Sequence, residues 1–84
     1  MQLELDTPAI YSIRVAGYLD SSWSDRLCGL DIRPSSQEDG RVVTVLAGPV
    51  IDQAALAGVL STLYNLHLPL LSVQCLGNIR IEEE

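Results

Sequence analysis

Eighty-four residues with a formal net charge of −6 allow one domain with a thin margin of stability, since so short a chain buries only roughly 60–65% of the surface its unfolded form exposes. All five basic residues are Arg (Arg14, Arg26, Arg33, Arg41, Arg80) and they are scattered, so the Lys/Arg stripe that releases counterions from phosphates is missing and nucleic acid and anionic membranes are excluded as partners. The absence of Lys removes Schiff-base and P-loop lysine chemistry as well.

In chain order, Leu3 to Asp6 reads as an edge strand or arm ended by Thr7-Pro8. From Ile10 to Leu19 the pattern has period two: Tyr11, Ile13, Val15, Gly17 and Leu19 share one face, and Ser12, Arg14, Ala16 and Tyr18 the other. This predicts a strand. Asp20-Ser21-Ser22 supplies oxygens that can cap a helix start, Trp23 and Leu27 are one turn apart, and Cys28-Gly29 ends the piece. A helix of barely two turns holds only if Trp23 anchors it to the core.

Leu30 to Arg33 predicts a short strand, and the polar run Pro34 to Gly40 a loop closing on an Asp-Gly turn. Arg41 to Ala47, rich in Val, predicts a central strand that Gly48-Pro49 breaks. Asp52 stands where the N-cap of the main helix, Gln53 to Leu66, is expected; Leu56, Val59, Leu60 and Leu63 form its apolar stripe. The stop is legible too, with His67 at C′, Leu68 at C″ and Pro69 beyond. Leu70 to Leu76 is the last main strand, Gly77-Asn78 turns it into a short return (Ile79 to Ile81), and the acidic residues 82–84 are tail. The expected organisation is a single domain, 1–84, with its structured core at 7–76 and an acidic tail at 77–84.

The order β-α-β-β-α-β predicts an α+β fold of ferredoxin-like type: a two-layer sandwich whose four-stranded antiparallel sheet has the order 4-1-3-2 and carries both helices on one face. The alternative is a β-meander in which the Trp23 segment is a loop, followed by one helix and a final strand.

Three segments together resemble a group of small uncharacterised bacterial proteins: Tyr11-x-Ile13-x-Val15-x-Gly17-x-Leu19-Asp20-x-x-Trp23; Gly48-x-Val50-x-Asp52-Gln53-Ala54-Ala55-Leu56-x-Gly58; and Leu66-x-Leu68-Pro69-Leu70-Leu71-Ser72-Val73. The likeness spans Tyr11 to Val73, and the group often has Gly at the position of His67. It implies a cytosolic single-domain protein and carries over no catalytic residue.

The chemistry-bearing residues are few. Cys28 and Cys75 are too few for a disulfide framework and form no CxxC; they are expected to be small buried hydrophobes on opposite sides of the sheet, too far apart to bridge. The N-terminus has neither the basic nor the apolar region of a signal peptide, so a cytoplasmic setting with reduced thiols is expected. His67 would lie near Asp20, Ser21 and Ser22, a Ser-His-Asp set in composition, but capping is the expected role of these residues. One His and two separated Cys predict no metal. The glycines form neither a GxGxxG nor a Walker pattern, so no nucleotide or other cofactor is expected. Trp23 is expected to anchor the core.

No charged side chain occurs between Gln53 and Ile79, apart from a mostly neutral His67. Pro69 interrupts the stretch, so it does not predict a membrane span. Instead, the outward side of the main helix (Gln53, Ala54, Ala57, Gly58, Ser61, Thr62, Asn65, with Tyr64 at its border) is uncharged where a solvated helix would carry charges. Gly58 costs about 1 kcal/mol in a helix interior, which suggests a packing reason. The sheet face away from the helices, lined by Ala16, Tyr18, one side of the Val strand, and Leu70, Ser72, Gln74 or Leu76, is a second uncommitted surface. The expected function is a non-catalytic interaction or oligomerisation module, a homodimer or an adaptor for another protein, with Tyr18, Ala54, Ala57, Gly58, Ser61 and Asn65 at its interface. The alternative is a small dimeric enzyme or ligand sensor whose pocket forms between subunits around Tyr18, Trp23 and His67.

Overall fold

Alternation along the first strand decides where the core lies. The computed structural model describes residues 8–37 and 39–78. In β1 (Ala9–Ala16) the residues Ala9, Tyr11, Ile13 and Val15 are buried, while Ile10 and Arg14 are exposed. β1 pairs antiparallel with β3 (Val42–Val50) on one side and with β4 (Leu70–Asn78) on the other; β2 (Asp31–Ser36) pairs antiparallel with β3. The sheet order is therefore β2-β3-β1-β4. With one α-helix among the described residues, α1 (Gln53–Asn65), the architecture there is an α+β fold built on an open four-stranded antiparallel sheet.

Three strands run further than their punctuation suggests. β2 does not stop at Arg33: Pro34, Ser35 and Ser36, expected in the loop, pair with Thr44, Val43 and Val42. Gly48-Pro49 does not break β3: Gly48 sits opposite Tyr11 and Pro49 opposite Ile10. Gly48 has φ +150° and faces Leu30, whose Cδ2 would lie 3.2 Å from a Cβ there, so a glycine lets the buried leucine close on the strand. Proline is tolerated because β2 begins opposite Ala47, which leaves that side of β3 without a ladder partner at Pro49 among the described residues. Likewise Gly77-Asn78 forms no return turn; β4 continues through both, opposite Ile10 and Ala9. The expected strands at Leu3–Asp6 and Ile79–Ile81 and the tail at 82–84 lie outside the described residues.

The first helix is a 3-10 segment, Ser21–Arg26, rather than an α-helix. Its bonds are i to i+3, with Trp23 N–H on the Asp20 carbonyl (3.0 Å) and Leu27 N–H on that of Ser24 (2.9 Å). Serines and Asp at 21, 22, 24 and 25 compete with the backbone and disfavour a longer helix. The Ser24 hydroxyl donates to the Leu30 carbonyl at 2.7 Å. The segment is held to the sheet by Thr44, which is fully buried: its hydroxyl donates to the Gly17 carbonyl (2.7 Å) and accepts from Leu19 N–H (3.1 Å). Trp23 packs half-buried against the core, with Arg26 stacked on its ring at 5.1 Å.

α1 begins and ends on side-chain and backbone devices written in the sequence. The Asp52 carboxylate accepts the Ala55 N–H at 2.8 Å. At the other end Leu68 N–H reaches the Leu63 carbonyl and His67 N–H that of Tyr64, the paired bonds of a Schellman motif, with His67 left-handed at φ +61°. Leu56, Val59 and Leu63 are buried, and Leu60 packs half-buried beside them.

Candidate interaction surface

A four-stranded sheet is about 19 Å wide, at about 4.8 Å per strand, whereas an α-helix with its side chains covers roughly 10 Å. One helix therefore covers about half of the sheet. The 3-10 segment packs beside β2, and α1 is tied to β1 through the Gln53 amide, which donates to the Tyr11 hydroxyl at 2.6 Å. β4 is left at the uncovered side.

The consequence is visible along one row of paired residues. Ile32, Leu46, Ile13 and Val73 follow one another across β2, β3, β1 and β4, all facing the core side. The first three are 5, 0 and 0% exposed; Val73 is 39% exposed. Leu70 (opposite Val15) and Cys75 (opposite Tyr11) share this side and are exposed too, whereas Ser72 and Gln74 occupy the other. β4 thus has the alternation of a strand with one buried face, apolar towards the core and polar away from it, without the burial. Register shifts leave Leu71 and Leu76 as the extra residues of two bulges, each more than half exposed. Between α1 and the start of β4 runs a groove of about 250 Å³ lined by Leu60, Leu63, Tyr64, Leu68, Pro69 and Leu70, and Tyr64 is 80% exposed at its side.

On the outward side of α1, Ala54, Ala57, Gly58, Ser61 and Asn65 are exposed. A Cβ added at Gly58 would meet nothing within 4 Å, so no packing among the described residues requires glycine there. Gln53 is half-buried and tied to Tyr11 rather than free on that face. The sheet's outer face is more charged than its composition suggested. Asp31-Ala47-Ser12-Gln74 and Arg33-Val45-Arg14-Ser72 are its rows, with an Arg33–Asp31 ion pair at 2.6 Å. Tyr18 stands beyond the end of β1, 64% exposed.

The Asp20 carboxylate bonds within its own turn, to the N–H and hydroxyl of Ser22. His67 lines a groove with Tyr64, Asn65, Leu68 and Pro69, and Trp23 lines a separate one with Ser22, Asp25 and Arg26. Asp52 caps α1 on the N-terminal side. Both cysteines are free and exposed, which corrects the expectation that they are buried: Cys28 is left-handed (φ +60°) in the turn after the 3-10 segment, and Cys75 lies on uncovered β4. No group of three His, Cys, Asp or Glu side chains that could hold a metal occurs among the described residues. Among them, too, no helix is long and apolar enough to cross a membrane.

A family model described as Domain of unknown function (DUF8691) matches residues 10–74. The chain belongs to that family. The DUF8691 match runs from β1 through the covered half of the sheet and α1 into β4, ending at Gln74, so the first part of the uncovered strand, Leu70 to Gln74, lies within it. No curated protein and no solved structure matches the chain. Sequence reasoning assigned β4 to the sheet face away from the helices through Leu70, Ser72, Gln74 or Leu76; the structure puts Leu70 on the core side with Val73 and Cys75, and the exposure of these three is what that reasoning missed. The available signal was the shortness of the Asp20–Gly29 segment, too small to complete a covering layer.

Proposed function

We propose that this chain is a non-catalytic protein-interaction or oligomerisation module, acting through the uncharged side of the molecule formed by α1 and β4. The observation that carries this reading is Val73. It continues a row of buried core residues and is itself open to solvent, together with Leu70 and Cys75 on the same side of β4. Exposed apolar residues scattered singly are ordinary, but a contiguous set on one strand beside an apolar groove is the pattern of a docking surface. The scaffold we read as ferredoxin-like, since the order β2-β3-β1-β4 is 4-1-3-2 from the opposite edge. Its first helix is reduced to the 3-10 segment, and this reduction leaves β4 open.

Native mass by light scattering behind size exclusion, across a wide range of concentration, tests the reading with Gly58→Arg on α1 and Tyr18→Glu at the end of β1. The expected result is an assembly of defined mass that at least one substitution on the uncharged side dissociates. A strict monomer whose mass and stability are indifferent to every such substitution, those on β4 included, overturns it.

A further inference from the structure

We infer that the surface is completed by a second copy of this chain, joined antiparallel along β4 to β4 in one continuous eight-stranded sheet. The inference rests on the interaction reading above and specifies its partner and its edge.

β4 is the terminal strand of the order and pairs only with β1 among the described residues, so the backbone groups on its outer edge face outward. Such an edge is a template for another strand, and proteins that keep it single usually blunt it with Lys, Pro or a short length. β4 has nine residues, Leu70–Asn78, with neither Pro nor a charged residue. Its two bulges bracket a regular run, Ser72 to Cys75, which is the part able to pair.

Charge and area select the occupant. The chain carries −6, so two copies repel through most of their surface, but from Gln53 to Asn78 neither Asp, Glu, Lys nor Arg occurs. Like copies can meet here without repulsion, and a strongly charged partner gains nothing here. A nine-residue edge is roughly 30 Å long and a sheet layer about 10 Å thick, so the edge alone offers on the order of 300 Å². A stable interface takes about 800 Å² from each partner. An added peptide strand would cover the edge and leave the groove beside α1 open. A second copy covers more. Antiparallel edges of identical chains are related by a two-fold axis perpendicular to the sheet, which puts both α1 helices on the same side of it. The core-facing strips Leu70, Val73 and Cys75 then lie together beneath two helices, with Tyr64 of each copy lining the shared cleft. Keeping the apolar sides together requires each residue to face one of the same parity, so the axis passes at Val73 or Gln74.

The test combines native mass with concentration-dependent amide exchange on the whole chain. Expected for the wild type is twice the 9.1 kDa chain mass, falling to 9.1 kDa in Val73→Lys and in Leu71→Lys, while Gly58→Arg stays dimeric. Those wild-type amides of Ser72 to Cys75 that point away from β1 should exchange more slowly as concentration rises, a readout that needs no variant to fold. A dimer that Gly58→Arg dissociates, with β4 amides indifferent to concentration, overturns the inference and leaves the interaction reading standing. A wild-type mass of 9.1 kDa at every concentration, with fast β4 exchange, overturns it outright.

Discussion

β1 and β4 lie side by side and carry the same alternation, yet one is the centre of the core and the other is open to solvent. Ile13 and Val73 face each other across the pair; Ile13 is fully buried and Val73 is not. The difference comes from the layer above. Burial of a strand face needs a helix or sheet over it, and among the described residues the covering layer is α1 plus a six-residue 3-10 segment. A strand pattern therefore states which side expects cover, and the covering elements decide whether the chain supplies it.

The largest expected contrast is between these two facing residues. Ile13→Ala should cost about 2–5 kcal/mol, as large-to-small changes in a closed core do. Val73→Ala should cost under about 1 kcal/mol in the isolated chain, because its site is already solvated. Urea denaturation of both variants checks this. The comparison sharpens if the Val73→Ala cost grows with protein concentration, since linkage to association then adds to it. It breaks if the two costs are equal in dilute solution, which would mean that β4 is covered within the chain.

A smaller effect tests what fixes the covered half. Thr44 is the buried polar residue at the point where the chain leaves β1 for the 3-10 segment, and both of its hydrogen bonds go to that crossover. Thr44→Val keeps the shape and leaves the Leu19 N–H unpaired, at a cost of about 1–3 kcal/mol. Loss of near-ultraviolet ellipticity from Trp23 should accompany it. An unchanged melting temperature would show that the crossover is held by Trp23 and Leu27 packing alone.

Legibility followed the same division. The covered half could be read because its rules are local: the Tyr11-Ile13-Val15 alternation, the Asp52 cap, the Leu56-Val59-Leu63 stripe and the His67-Leu68-Pro69 stop all depend on near neighbours in sequence. Strand ends at Gly48-Pro49 and Gly77-Asn78 were misjudged because tertiary pairing with β1 overrode turn chemistry. The 3-10 segment was read as an α-helix because its caps fit either, and the serine content that decides between them is a weak signal. The state of β4 was legible only indirectly, through the shortness of the Asp20–Gly29 segment. Its residues are right for a buried strand, and only the size of the layer above reveals that they are open. The cysteines were misjudged for this reason in the case of Cys75 and for its left-handed turn in the case of Cys28.

The smallest expected effect separates the two surfaces available on the uncharged side. Gly58 lies inside α1 with open space where a Cβ would go. Gly58→Ala should therefore stabilise the folded chain by about 0.5–1 kcal/mol, since alanine loses less backbone entropy in a helix. If association runs through β4, the gain should be the same in monomer and dimer, because the outward side of α1 stays wet. If the helices of two copies meet at the small residues Ala54, Ala57, Gly58 and Ser61, the added methyl group enters a close contact, and the chain gains stability while the assembly loses it. Thermal melts at low and high concentration read both quantities from one variant. A glycine that the chain's own packing does not require thus becomes the probe of whether the partner sits above α1 or beside β4.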